Sequence, residues 1–178
     1  LGAHQRVNAA SAIGLTEMFL GQVGRRLDPR LVRSVLGELE LPGRTNLVDG
    51  APKVLLDGAH NVMAVRVLME TIERSLSYDR LITIFACSRD KDIAGILGIM
   101  EPVVDEWVLS GIDFPRTADP AEVAEILKGV TDAEPVVCAL PDEAWERAIG
   151  LAGPDDLICC CGSFYLAGEV QKLMAQES

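Results

Sequence analysis

The chain has 178 residues, 49% of them hydrophobic and 24% charged, and its 16 Lys and Arg against 27 Asp and Glu leave a net charge of −11. That balance argues against nucleic acid, whose phosphate backbone is held by clustered Lys and Arg, and against an anionic membrane surface. No apolar run reaches the roughly 18 to 20 residues of a membrane-spanning helix, no signal peptide is visible, and the length allows one domain or one domain with an appendage.

In chain order, His4 to about Val23 reads as a helix, with Val7, Ala10, Ile13, Leu15, Met18 and Phe19 at helical spacing. A second, short helix starts at Asp28-Pro29, since Asp is a good N-cap and Pro suits the first turn. Its apolar positions are Leu31, Val32, Val35, Leu36 and Leu39, and Leu41-Pro42-Gly43 ends it as a linker. From Arg44 onward strands alternate with helices. The strand candidates are 45–48, 53–56, 81–87, 106–110, 135–139 and 157–161, the first two joined by a short turn. The helix candidates are 63–75, 92–103, 120–130, 142–151 and 164–175.

The runs LITIFAC and LICCC are almost continuously apolar, as strands covered on both faces are. Short strands linked by helices of about ten to fifteen residues make βαβ units. The expected fold is α/β: a Rossmann-like, mostly parallel six-stranded sheet with helices on both faces, preceded by a helical N-terminal segment. The expected division is 1–43 and 44–178.

Cys87, Cys138, Cys159, Cys160 and Cys161 make an odd set without zinc spacing, and three adjacent side chains alternate across a strand. They read as buried reduced thiols of a cytoplasmic protein. The chain opens on Leu1 and reads as a piece of something longer.

In open α/β sheets ligands bind beyond the carboxyl ends of the strands, where the strand order reverses. After the second strand comes Asp57-Gly58-Ala59-His60-Asn61, after the third Ser88-Arg89-Asp90-Lys91-Asp92, after the fourth Asp113-Phe114-Pro115-Arg116, and after the last Gly162-Ser163. Asp57 can accept two hydroxyl hydrogen bonds, the way a ribose is held, or cap its turn, as Asn61 can cap the following helix. His60 is one of only two histidines; it fits a ligand or a turn equally. Ser163 opens the last helix, where free N–H groups attract a carboxylate or phosphate, and it also suits a plain N-cap. The sequence has no G-x-x-x-x-G-K-[ST] phosphate loop, no G-x-G-x-x-G after a strand and no nucleophile elbow.

LLDGAHN, then FACSRDKD, together with the opening LGAHQRVNAASA, PGR at 42–44, FPR at 114–116 and CGSFYLAGEV at 161–170, resembles the C-terminal part of the folylpolyglutamate synthase and bifunctional dihydrofolate synthase family, within the Mur ligase superfamily. The likeness spans essentially the whole chain. It implies an ATP-dependent amide ligase: a carboxylate on pteroate or on a folate's last glutamate is phosphorylated by ATP, and the amino group of L-glutamate attacks the acyl phosphate. The partners so implied are ATP, L-glutamate, a folate or dihydropteroate, and the protein's own N-terminal ATPase domain, which would carry the phosphate loop and the Mg2+ ligands; residues 1–43 would be the tail of that domain plus linker. By the same resemblance Asn8 is an adenine-side contact, Arg44 a phosphate contact and Asp57 the ribose ligand, while His60 and Ser163 face the glutamate. Val62 stands where the family commonly has proline. Two readings from other classes stay open: a stand-alone nucleotide-binding module without catalysis, and a purely structural domain whose rim groups are caps.

Overall fold

The computed structural model describes residues 3–39 and 43–176, in two compact units, Leu1–Pro42 and Gly43–Ser178. Leu41 and Pro42 of the expected linker lie outside the described residues.

The first unit holds α1 (Ala3–Gln22) and α2 (Pro29–Glu38). Asp28 caps α2 as its sequence suggests, its carboxylate accepting the Arg30 N–H at 2.8 Å, with Pro29 in the first turn. The apolar side chains meet little within this unit. Leu15, Met18 and Phe19 of α1 are 68%, 69% and 65% exposed, and α2 has no buried residue.

The second unit runs β1 (Asn46–Val48), β2 (Lys53–Leu56), α3 (Val62–Ser75), β3 (Leu81–Phe85), α4 (Ile93–Met100), β4 (Glu106–Ser110), α5 (Pro120–Leu127), β5 (Val136–Cys138), α6 (Pro141–Leu151), β6 (Leu157–Cys161) and α7 (Phe164–Gln176). Its sheet has the order β1-β2-β6-β3-β4-β5. β1 is antiparallel to β2, and every other pairing is parallel. The chain walks outward from β2 to β5 and then returns, placing β6 between β2 and β3.

The four central strands β2, β6, β3 and β4 are buried on both faces because their residues alternate between two apolar layers. Leu55, Phe85, Leu109, Cys159 and Cys161 pack with α3, α4 and α5; Leu56, Ile84, Val108 and Cys160 pack with α6 and α7. The Rossmann-like fold is therefore as expected. All five cysteines are free and buried, and the last three alternate across the sheet.

Element ends differ from expectation where a local group ends the pattern. β3 stops at Phe85, because Ala86 to Ser88 leave the ladder toward the loop after β4: Ala118 N–H donates to the Cys87 carbonyl at 2.9 Å, and Ser88 bridges Thr117. α4 begins after Asp92, whose carboxylate caps Gly95 N–H at 3.0 Å, and ends at Met100, just before Pro102. α5 closes at Leu127 in a tight turn, with Val130 N–H donating to the Leu127 carbonyl at 2.8 Å.

The amino edge of the sheet is pinned by Asp156. Its buried carboxylate accepts from Gly153 N–H at 2.8 Å, from Arg80 N–H at 3.1 Å and from the Arg80 guanidinium at 2.7 Å. The Gly153 hydrogen bond, then the Arg80 side chain, hold this carboxyl below its ordinary value. A depressed folded-state pKa contributes stability that is fully present above the unfolded value of about 3.9 and is lost as pH falls through the folded value. Asp156→Ala is expected to destabilise the fold by roughly 2–3 kcal/mol near neutral pH. Urea unfolding should show that gap narrowing as pH drops below about 4.

Candidate functional site at the carboxyl edge of the sheet

Because β6 lies between β2 and β3, the turn after β2 and the start of α7 are neighbours. Three backbone hydrogen bonds stitch the strand tips: Asp57 N–H to the Cys160 carbonyl at 2.9 Å, Gly162 N–H to the Ala59 carbonyl at 2.8 Å and Ala86 N–H to the Cys161 carbonyl at 3.4 Å. Gly162 has φ +94, and a Cβ there would strike the Ala86 carbonyl oxygen; only glycine makes this turn into α7 without strain.

Asp57 is buried at 9% exposure, and both of its oxygens are engaged. One accepts the Ala59 N–H at 2.7 Å, and the other accepts the Thr45 N–H at 2.7 Å and the Thr45 hydroxyl at 3.3 Å. Thr45 sits at φ +49, an uncommon conformation for a β-branched residue. The carboxylate thus holds the start of β1 onto the end of β2.

His60 is half-buried, with Nδ1 2.7 Å from the Gly58 carbonyl oxygen. A carbonyl can only accept, so Nδ1 carries the proton and Nε2 is the free acceptor of the neutral ring. Asn61 caps α3, accepting the Ala64 N–H at 2.9 Å, so Val62 opens that helix without a proline. Ser163 Oγ accepts the Tyr165 N–H at 3.2 Å at the start of α7. Arg44 is exposed and lies over the Phe164 ring, its Cζ 5.2 Å from the centroid. The edge of the same ring contact falls to His60, at 5.9 Å between centroids and 61° between planes. Arg44, His60 and Ser163 are therefore gathered around the first turn of α7. Asn8 belongs to the first unit, where its exposed side chain donates to Gln5 Oε1 at 3.3 Å.

Residue-type reasoning overlooked the aromatic groups. The chain has only four Phe, two Tyr and two Trp, yet Phe114, Phe164 and Tyr165 all stand on this edge. Phe114 and Tyr165 stack at 4.5 Å and 23°, and Arg116 lies 5.4 Å over Phe114. Arg89 donates to the Pro115 and Thr117 carbonyls at 3.2 Å each, which fixes the loop carrying Phe114 and Arg116. The signal available in the sequence was the placement of rare aromatic residues directly after strand ends.

The charged loop 89–92 is partly self-paired, the Lys91 ammonium lying 3.1 Å from the Asp90 carboxylate and drawing its pKa down. Burial pushes the Cys87 thiol up to about 12, and the hydrogen bond with Cys159, then burial, raise Cys161; neither is a nucleophile near neutral pH. Among the described residues no three His, Cys, Asp or Glu side chains gather as metal ligands, and no helix is long and apolar enough to cross a membrane.

A doubly covered, mostly parallel sheet with a polar and aromatic carboxyl edge defines a Rossmann-like α/β domain. The Mur ligase, glutamate ligase domain family matches residues 43–164, and the chain belongs to that family. It is 34% identical over 191 residues to the dihydrofolate synthase/folylpolyglutamate synthase of Mycobacterium tuberculosis, covering 99% of this chain and 39% of that protein. The Escherichia coli protein of the same name is 29% identical over 167 residues, covering 94% of this chain and 37% of that one. Among solved structures, the Mycobacterium tuberculosis folylpolyglutamate synthase complexed with ADP superposes with a TM-score of 0.88 at 27% identity, over 97% of this chain and 40% of that chain. Escherichia coli FolC in complex with DHPP and ADP gives 0.79 at 28% identity, over 87% and 36%. The resemblance to the C-terminal part of this ligase family is borne out, and the chain spans less than two fifths of the length of these curated relatives.

Gly58 is a second glycine of the site with no room for a side chain. A Cβ at this position would clash with the Cδ1, Cε1 and Cζ carbons of the Phe164 ring, so Gly58→Ala must displace the ring or the turn. The expected cost is roughly 1–3 kcal/mol of stability, read by urea unfolding, whereas Gly98→Ala, at a position with open space around it, should not destabilise.

Proposed function

We propose that this chain is the C-terminal portion of an ATP-dependent amide ligase that joins L-glutamate to a folate, to dihydropteroate, or to both, through an acyl phosphate. The observation that carries the reading is the gathering of Arg44, His60 and Ser163 around the start of α7, in a chain of the glutamate ligase domain family.

Arg44 offers a planar fork to phosphate oxygens and spreads the charge that develops as the acyl phosphate is attacked. No carboxylate within ion-pair distance neutralises it among the described residues. The first-turn N–H groups of α7 and the Ser163 hydroxyl hold the glutamate carboxylate, because a helix N-terminus favours negative charge. His60 presents Nε2 as an acceptor to the ammonium or amine of the incoming glutamate. Asp57 fixes the turn through its three internal hydrogen bonds; of the roughly four acceptor positions of a carboxylate, one remains for a ribose hydroxyl. Asn8 belongs to the adenine side. Mg2+ arrives with the nucleotide, with its protein ligands outside this chain.

The division follows the same reading: residues 1–43 are the tail of a central ATPase domain with its linker, and 44–178 the C-terminal domain. The exposed apolar residues of α1 and α2 support it, since helices with such side chains are normally covered. Domain closure then positions the amine and excludes water from an acyl phosphate that would otherwise hydrolyse. The setting is cytoplasmic.

In the full-length protein, ADP release with a folate or dihydropteroate should require L-glutamate. Arg44→Ala should lower kcat/KM on the order of a hundredfold, and residues 1–178 alone should give no turnover. Full-length protein that releases no ADP in a glutamate-dependent manner, or an Arg44→Ala variant as fast as the parent, would refute the ligase reading. Nucleotide binding without turnover by full-length protein would instead identify a binding module.

A further inference from the structure

We infer that Phe164 is a positioning residue: its ring sets the places of Arg44 and His60 on the carboxyl edge of the sheet. What those two groups do there rests on the ligase reading above; the geometry that holds them does not.

The ring is seated on a shelf made by two glycines distant in sequence. A Cβ on Gly58 would clash with the Cδ1, Cε1 and Cζ carbons of the ring, and one on Gly43 would come within 3.0 Å of it. The two glycine backbones are joined to each other, Gly58 N–H donating to the Gly43 carbonyl at 2.6 Å. A phenyl group can reach this shelf only because both positions lack a side chain.

Arg44 follows Gly43, and the Gly58 carbonyl is the acceptor for His60 Nδ1. Both polar residues thus depart from the shelf and touch the same ring, the guanidinium over it at 5.2 Å and the imidazole inclined to it at 61°. Phe164 is 41% exposed, so apolar burial alone does not account for a phenyl group at this position.

Holding an arginine on a ring differs from holding it on a carboxylate. A carboxylate would neutralise the charge and occupy the donor fork; an aromatic face orients the guanidinium and leaves its N–H groups free for an anion. For His60, the backbone hydrogen bond selects the tautomer and the ring contact limits rotation, so Nε2 is presented in one direction. Phe164 needs no contact with substrate to have this effect.

The test compares Phe164→Leu, which fills the shelf without an aromatic ring, with Phe164→Tyr, which keeps the ring and can point its hydroxyl to solvent. In the full-length protein, Phe164→Leu should raise KM for ATP and L-glutamate on the order of tenfold, with KM for the folate substrate unchanged, and Phe164→Tyr should restore both. In 15N-imidazole-labelled full-length protein, with the His60 signals assigned by their loss in His60→Gln, the single Nδ1–H tautomer set by the Gly58 carbonyl should give way to mixed tautomer signals in the Leu variant and persist in the Tyr variant, a nitrogen-shift change much larger than the loss of a neighbouring ring current. A purely space-filling role predicts that Leu leaves the KM values and the His60 signals unchanged, and that result would overturn the inference, as would a Tyr variant that behaves like Leu. Partial unfolding would lower kcat without moving KM. Should the parent protein prove not to use glutamate, the ligase reading fails, and the His60 signals alone still decide whether the ring positions its neighbour.

Discussion

The arrangement depends on the return of the chain to lay β6 between β2 and β3. A parallel strand inserted there must be apolar on both faces, which Leu157 to Cys161 satisfy with five buried residues, and it must turn away sharply at its end, which Gly162 allows. The consequence is spatial: the tip of β6 brings Ser163 and the first turn of α7 beside the turn of Asp57 to Asn61. Had β6 been added at the outer edge beyond β5, these groups would share an edge of the sheet but not a site.

The second constraint is the buried carboxylate of Asp57. Removing a carboxylate from water is costly unless its acceptor positions are filled, and here two backbone N–H groups and a hydroxyl fill three of them. Two of the three donors belong to Thr45, in a left-handed conformation that its branched side chain disfavours. The carboxylate stabilises that conformation, which in turn fixes the segment from which Arg44 projects. Turn-capping and ligand-facing readings of Asp57 are thus not opposites, since the same side chain that shapes the turn sets where the neighbouring cation stands.

Much of this was legible in the residues. Continuous apolar runs identified the buried strands, helix-length spacers identified the crossovers, and polar residues after the strands identified the edge. Asp28 and Asn61 could be read as caps because capping is local, one side chain satisfying an N–H two or three residues on. What escaped was non-local. Nothing near Gly58 in sequence announces that Phe164 will occupy the space its missing side chain leaves, or that Tyr165 in the first turn of α7 will meet Phe114 in the loop after β4. Thr45 carries no mark of a left-handed residue, because the cause is a carboxylate twelve residues away. The ends of β3 and α5 slipped for the same reason, since loop pairing and a tight turn, rather than a loss of apolar character, stopped them.

The arginines show how an acidic chain keeps positive charge available. Arg80, at the amino edge, is matched to Asp156 at 2.7 Å and Glu106 at 3.7 Å, and its charge is used up in tying strand starts together. Arg44 and Arg116, at the opposite edge, rest on Phe164 and Phe114 instead. An ion pair would hold either of them more firmly, but it would neutralise its charge. A ring face holds the guanidinium through its quadrupole and dispersion and leaves the net charge intact. With 27 acidic residues in the chain, keeping carboxylates out of ion-pair reach of these two cations requires other groups to occupy that space. Phe114 and Phe164 fill it on both sides of the α7 N-terminus, and that is a physical reason for these two rings to stand at this edge while Phe85, Trp107 and Trp145 pack in the core.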